Sequence, residues 1–276
     1  MVLWYDGRKP AKMAKGRNVA KDNADYEANG SDGTTRLNCE TDDADHRRDM
    51  DRSDIVRYFE YGEEELAHLR AADPKLGPYV DLIESRGHIR RAMDDDLFAS
   101  VVHHIIGQQI STAAQQTVWR RMAERFGEVS AQTLCAATVE DIQSCGTTFR
   151  KAEYVRDFAQ KVRSGAFDLD AVARMGDDEV IAALSSLKGI GRWTAEMIML
   201  FCLGRPDILS FDDLAIQRGM RMVYRHRAIT PALFARYRRR LSPYGSTASL
   251  FFWEVSHGVV EGLTDPARPA KPKRKR

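Results

Sequence analysis

Residues 187–213 read Leu-Lys-Gly-Ile-Gly-Arg-Trp-Thr-Ala-Glu-Met-Ile-Met-Leu-Phe-Cys-Leu-Gly-Arg-Pro-Asp-Ile-Leu-Ser-Phe-Asp-Asp, with Gly189 and Gly191 bracketing a single isoleucine. Glycine tolerates tight, partly left-handed backbone, so one helix can end and another begin almost at once. The missing side chain also lets the turn approach another molecule closely. Upstream, Asp177 to Ser186 has the pattern of a short helix, and downstream Thr194 to Leu203 repeats apolar residues at helical spacing. The stretch predicts helix, glycine hairpin, helix over about 178–203. Amides that open the second helix lack helical acceptors and lie at its positive end, which suits a phosphate oxygen. A loop through Gly204 and Pro206 follows, and then Asp212-Asp213 opens a further helix with Leu214 and Ile216.

The rest of the chain supports a helical fold. Residues 1–53 are rich in Asp, Asn, Gly, Arg and Lys, with few aliphatics and no sustained period, so disorder is expected there. Met50 precedes the first helical pattern, which suggests that translation can begin there and that the upstream stretch is dispensable. From Asp54 the sequence becomes periodic: Ile55, Tyr58, Phe59, Leu66 and Leu69 suggest a helix over 54–72, stopped by Pro74, and a shorter one follows from Leu76 to Ile89. Asp94-Asp95-Asp96 reads as capping for an apolar helix over Leu97 to Ile106, rather than as a metal site. Gly107-Gln108-Gln109-Ile110 interrupts the pattern before Ser111 caps the next helix. Thr138 and Asp141 have capping-box spacing, Phe149 to Val162 forms another helix, and Gly165 to Asp170 a turn. His103 and His104 point different ways on their helix and read as core or surface. No alternation suggests a sheet and no repeat is present, so the fold class is all-α.

Charge and cysteine usage narrow the setting. A formal charge of +2 over 276 residues identifies no partner. Its distribution says more: no acid lies between Asp213 and Glu254, while Arg218, Arg221, Arg225, Arg227, Arg236, Arg238, Arg239 and Arg240 all do. Such a block fits a phosphate backbone, its plainer reading being a solvated helical face. Cys39, Cys135, Cys145 and Cys202 are widely spaced and read as free thiols of a reducing compartment. No secretory signal or membrane-span-length apolar run is present, so a soluble, intracellular protein is expected. Residues 266–276 are expected to form a basic, disordered tail through Lys271-Pro272-Lys273-Arg274-Lys275-Arg276, suited to nonspecific DNA affinity or, in a eukaryote, to a nuclear address.

Leu187-Lys188-Gly189-Ile190-Gly191-Arg192-Trp193-Thr194-Ala195 followed by Asp213 resembles the helix-hairpin-helix (HhH-GPD) DNA glycosylases, in particular the 3-methyladenine DNA glycosylase II branch. Phe98 to Ser111, ending Ile106-Gly107-Gln108-Gln109-Ile110-Ser111, is similar to that branch's strand-separating segment, and the likeness runs from about Tyr58 to Gly262. The resemblance implies a two-lobed helical domain over 54–265 with the active-site cleft between lobes. It also implies excision of alkylated purines of the 3-methyladenine and 7-methylguanine type from damaged double-stranded DNA. Asp213 matches the family's catalytic aspartate, leaving Asp212 as the expected helix cap. An alkylated purine carries positive charge and leaves readily, so one carboxylate suffices to stabilise the developing sugar cation or to direct water.

Relatives that also nick DNA carry a lysine two residues after the second hairpin glycine, where Trp193 stands here. An indole forms no Schiff base, so the enzyme is expected to be monofunctional and to lack lyase activity. Trp193 and Trp253 match aromatic walls of the base pocket, and two further aromatic pocket positions map to Met197 and Glu254. The strand wedge falls on Gln109, with Gln108 or Ile110 sharing the task, against a plainer reading of the glutamines as helix-end caps and bridges. Gly189, Gly191 and Thr194 would give amides to a phosphate, with Lys188 and Arg192 adding charge. Carbonyls of Ser185, Leu187 and Ile190 would hold a monovalent cation, Na+ or K+. No cofactor is required, and the iron-sulfur cluster of some relatives is excluded because no cysteine follows Cys202. A monomer is expected, cytoplasmic and nucleoid-associated, or nuclear in a eukaryote. Two other readings stay open: a noncatalytic DNA-binding module, and a glycosylase of the same fold for deaminated or oxidised purines.

Overall fold

Helices begin where the sequence puts a short polar side chain ahead of an apolar run. The structure, a computed structural model, describes residues 56–267, so the expectations for the N-terminal 53 residues, including a start at Met50, and for the basic tail fall largely outside the described residues. Asp96 Oδ1 accepts from the Ala99 amide (2.6 Å) and caps α3 (Leu97–Gly107). Ser111 caps α4 (Thr112–Phe126), and Thr138 with Asp141 forms the expected capping box of α6 (Val139–Ser144). A side-chain oxygen at these positions satisfies an amide that the helix cannot, at a net benefit of about 1 kcal/mol. The remaining helices are α1 (Glu63–Ala72), α2 (Gly77–Glu84), α5 (Ala131–Ala136), α7 (Phe149–Arg163), α8 (Leu169–Arg174), α9 (Asp177–Ser185), α10 (Arg192–Phe201), α11 (Leu214–Tyr224), α12 (Pro231–Leu241) and α13 (Gly245–Ser256). Among the described residues there is no strand, only an isolated antiparallel bridge between Tyr58 and Ala92.

That bridge corrects the helix expected from Asp54. Residues 57–59 run extended because Phe59 N–H donates to Arg91 O and Met93 N–H to Arg57 O, both at 2.8 Å. Helix α1 begins only at Glu63, and the expected turn at 165–170 holds the start of α8.

Two lobes result. One is built from α1, α2, α11, α12 and α13, the other from α3 to α10. From residue 56 the chain thus runs in the first lobe, crosses to the second and returns just before Asp213. In the first lobe α11 crosses α13 so closely that a Cβ added at Gly219 would lie 2.2 Å from the carbonyl oxygen of Phe252. Asp73, fully buried there, accepts from Tyr224 OH (2.8 Å), Arg240 Nη1 (2.9 Å) and the amides of Lys75 and Leu76. In the second lobe Phe98 stacks on Phe158 at 4.9 Å, joining α3 to α7.

The returning crossing, residues 202–213, is pinned from the first lobe. Asp207 accepts from Arg238 Nη1 (2.6 Å), Ser242 Oγ (2.7 Å) and Gly245 N (2.9 Å). Burial opposes charge on Asp207, but these donors hold its pKa below the ordinary carboxylate value. Ile208 N–H donates to Ser246 Oγ and Ser249 Oγ–H to Ile208 O. The loop that delivers Asp213 is therefore held in place over most of its length.

Candidate active site

Asp213 lies where the chain re-enters the first lobe, and it is itself the N-cap of α11. Its Oδ1 accepts from the amides of Ala215 (2.9 Å) and Ile216 (2.8 Å). This corrects the expectation that Asp212 caps the helix: Asp212 is exposed and Asp213 is 8% exposed. Oδ1 also accepts from Trp253 Nε1 at 3.2 Å, while Oδ2 accepts from Trp193 Nε1 at 2.9 Å. Trp193 is on α10 of the second lobe and Trp253 on α13 of the first, so the carboxylate is gripped from both sides of the cleft.

The two indoles differ in what they leave open. Trp253 is 7% exposed and one face of its ring stacks on Phe201, centroids 5.6 Å apart. Trp193 is half-buried and stacks on no aromatic ring among the described residues. Met197, one turn further along α10, is packed into the core at 5% exposure. Glu254 accepts from Arg91 Nη2 at 2.5 Å, an ion pair across the first crossing of the chain. Leu214, beside Asp213, is 66% exposed.

The glycine hairpin joins α9 to α10. Gly189 needs to be glycine twice over: its φ is +86°, and a Cβ would lie 2.6 Å from the Tyr154 ring. Gly191 needs neither, since its φ is −98° and a Cβ would meet nothing within 4 Å. As the N-cap of α10, Gly191 offers no side-chain acceptor, so the first-turn amides, Thr194 among them, are uncapped. Lys188 Nζ pairs with Asp157 Oδ1 (2.8 Å) and Arg192 Nε with Glu196 Oε1 (3.0 Å); both basic side chains are 60% exposed.

The turn after α3 sits against this hairpin. Gln108 Nε2 donates to Gly189 O (2.5 Å), which commits that side chain to bridging. Lys151 Nζ donates to Ile106 O (2.9 Å) and Gln108 O (2.5 Å) from beneath, its pKa lowered by burial. Gln115, buried, donates to His103 O (2.8 Å) in space that a side chain at Gly107 would fill. What remains outward is Gln109, exposed and at φ +59°, a conformation uncommon outside glycine. Ile110, next in the chain, is half-buried.

Much of the arginine block turns inward. Arg221 forms a two-pronged pair with Asp265, Arg238 binds Asp207 and Arg240 binds Asp73. The expectation of a DNA face is thereby corrected for these three. Arg218, Arg225, Arg227, Arg236 and Arg239 stay exposed, Arg225 donating to Thr264 O at the surface. Glu196 and Ser210 escaped sequence reading altogether. Glu196, 6% exposed, accepts from the Ser210 hydroxyl through Oε2, and burial raises its pKa. No group of His, Cys, Asp and Glu among the described residues could hold a metal ion, and no helix there is long and apolar enough to cross a membrane.

With this geometry, the HhH-GPD superfamily of base excision DNA repair proteins matches residues 102–243, a span running from α3 through the hairpin and Asp213 to the end of α12. The chain belongs to that superfamily. Among HhH-GPD relatives, DNA-3-methyladenine glycosylase 1 of Schizosaccharomyces pombe is 26% identical over 212 residues, covering 75% of this chain and 91% of that protein. DNA-3-methyladenine glycosylase 2 of Escherichia coli is 27% identical over 169 residues, 57% of either chain. Among solved structures, a DNA-3-methyladenine glycosidase from Bacillus halodurans superposes with a TM-score of 0.67 at 29% identity, covering 75% of this chain and 96% of that one. The S. pombe enzyme bound to abasic DNA shares the fold at a TM-score of 0.60 and 23% identity, over 73% and 99%. The chain is thus an HhH-GPD enzyme of the hydrolytic N-glycosylase class, with the two-lobed all-α fold.

Proposed function

We propose that the protein excises alkylated purines, of the 3-methyladenine and 7-methylguanine type, from double-stranded DNA and leaves an intact abasic strand. The observation that carries this reading is a nearly buried carboxylate, Asp213, held between the indole N–H groups of Trp193 and Trp253. Both carboxylate oxygens are oriented by donors, so the charge stands fixed where a sugar cation would develop, and such preorganised charge is a large term in catalysis. An alkylated purine is already cationic and leaves without a strong acid. Its ring is attracted to an indole face, and the half-buried Trp193 is the candidate. Because Trp193 stands where a lyase needs an amine, no covalent sugar adduct forms and the attacking group is water.

Reaching the base requires everting its nucleotide, at a cost of a few kcal/mol. Gln109, outward at a strained turn, fills the vacated stack, while Gln108 and Lys151 brace that turn against the hairpin. The uncapped amides of α10 and the bare Gly191 take a backbone phosphate. Lys188 adds charge by exchanging an ion pair worth about 1 kcal/mol or less, and the exposed Arg192 adds charge while it stays paired with Glu196. Among the described residues the carbonyls of Ser185 and Ile190 accept no backbone hydrogen bond and that of Leu187 accepts one, from Ile190 N (3.1 Å). These neutral oxygens fit a monovalent cation, Na+ or K+, which would add positive charge beside the phosphate.

The test is base release from methylated duplex DNA by the wild-type protein and by Asp213→Asn, with binding to an abasic-site duplex measured alongside. Release by wild type, lost in the variant with binding retained, is expected. Binding without release across methylated, deaminated and oxidised duplexes would instead make this a noncatalytic DNA-binding module, and release of deaminated or oxidised purines alone would replace the substrate.

A further inference from the structure

Among the described residues two side-chain hydrogen bonds tie the hairpin helix to the loop that carries Asp213, and only one involves a residue of the proposed chemistry. Trp193 and Glu196 stand three residues apart on α10, hence on one face. Trp193 reaches Asp213, and Glu196 reaches Ser210, three residues earlier in the same loop. Ser210 is fully buried and Glu196 is 6% exposed, so water offers neither a substitute partner. The other oxygen of Glu196 accepts from Arg192, the first residue of α10, beside the amides assigned to phosphate. Beyond Ser210, Gln217 Nε2 holds Phe211 O (2.6 Å), and Asp213 then caps α11. The loop has no free residue between Glu196's grip and the carboxylate other than exposed Asp212.

From this geometry we infer that Glu196 is a positioning residue: through Ser210 it sets the height of Asp213 in the cleft relative to DNA docked on the hairpin. The inference rests on the assignment of Asp213 given above. A carboxylate suits the task because it accepts from both sides at once, Arg192 on Oε1 and Ser210 on Oε2, and a charged acceptor makes the stronger bond. Misplacing a reacting group by about 1 Å can cost roughly a hundredfold in rate while contacts to the rest of the substrate survive.

The experiment compares the full-length wild type with Glu196→Ala, Glu196→Gln, Ser210→Ala and the double alanine variant. It measures single-turnover release of 3-methyladenine, the Kd for an abasic-site duplex, and the NMR signals of the indole N–H groups. The alanine variants are expected to slow release by about ten- to a hundredfold with Kd almost unchanged, and the double variant to be no slower than the worse single one. Glu196→Gln should recover most of the rate, because its side-chain oxygen still accepts from Ser210. The Trp193 and Trp253 indole signals should move and that of Trp119 should not. A wild-type rate with unmoved indole signals in Ser210→Ala would overturn the inference. So would equal losses of rate and binding in every variant, the mark of a merely structural role. Should Glu196→Ala fail to fold, Ser210→Ala, which removes only a hydroxyl, decides. If the wild type releases no base at all, the catalytic reading fails on its own, and the indole signals still report whether Glu196 positions Asp213.

Discussion

Adding one methyl at Gly219 tests how tightly the first lobe fixes the site. A Cβ there would lie 2.2 Å from Phe252 O, 2.8 Å from its carbonyl carbon and 2.9 Å from its Cα. Carbon and oxygen approach comfortably only to about 3.3 Å, so α11 and α13 must part by roughly 1 Å. All three atoms are backbone, and no rotamer change relieves them. In an isolated helix, glycine to alanine would gain about 1 kcal/mol. Overpacking a close contact costs about 1–3 kcal/mol, and a backbone clash belongs in the upper half of that range. Gly219→Ala should therefore destabilise by a net 1–2 kcal/mol or so, lowering Tm by about 2–8 °C for a domain of this size. Asp213 opens α11 and Trp253 follows Phe252 on α13, so the same separation acts on their 3.2 Å hydrogen bond, already at the long end of the range. Base release should slow by about ten- to a hundredfold. The assays are a thermal melt and single-turnover excision. A higher Tm with wild-type excision would refute the reasoning, because helix propensity would then have prevailed over the crossing.

Three further outcomes are expected. Asp213→Asn keeps an oxygen for the α11 amides and should change Tm little, whereas Asp213→Ala should also lose about 1 kcal/mol of capping; both should lose activity, and an equal Tm for the two would refute the capping role. Gln109→Ala should slow excision from duplex DNA more than from a single strand, which needs no wedge, and equal slowing on both would refute its role in eversion. His103 is pushed by burial from an ordinary 6.5 down to about 4, so the unfolded chain takes up that proton first. Its contribution to stability is full above pH 6.5 and falls as pH drops toward 4; a Tm-against-pH slope over that window should be shallower in His103→Phe, and an unchanged slope would refute the assignment.

Local signals were legible in the sequence and distant ones were not. The caps Asp96, Ser111 and Thr138 lie beside the helices they start, so reading along the chain finds them. Helix α5 was missed because its capping box puts Thr133 where the recognisable pattern has Glu or Gln. Ile55, Tyr58 and Phe59 have helical spacing, but Phe59 pairs with a segment more than thirty residues away, and that partner decides the backbone. The arginine block shows the same limit. A run free of acids looks available for DNA, yet Arg240 answers Asp73 across the chain and Arg238 answers Asp207. Which of Asp212 and Asp213 caps α11 is likewise invisible when the two stand side by side. It follows from which carboxylate the indoles of Trp193 and Trp253 reach.

One aspartate serves the fold and, in the proposed mechanism, the chemistry. Capping fixes Oδ1 against two amides, and the pinned loop fixes the backbone, so Oδ2 has no freedom except toward Trp193. A carboxylate one methylene longer would lose this: Glu at position 213 could reach the cleft, but its oxygen would overshoot the amides of the first turn, for which short side chains are favoured. In the proposed mechanism the requirement for a short side chain comes from the helix and the requirement for charge from the sugar cation, and only aspartate meets both. The glycine hairpin would then supply the remaining coordinate. On that proposal it holds the DNA backbone on the second lobe while the cap holds the carboxylate on the first, and Trp193 spans the gap. Catalysis so arranged would depend on the spacing between two helix N-termini, α10 and α11, more than on the strength of any single contact at either one.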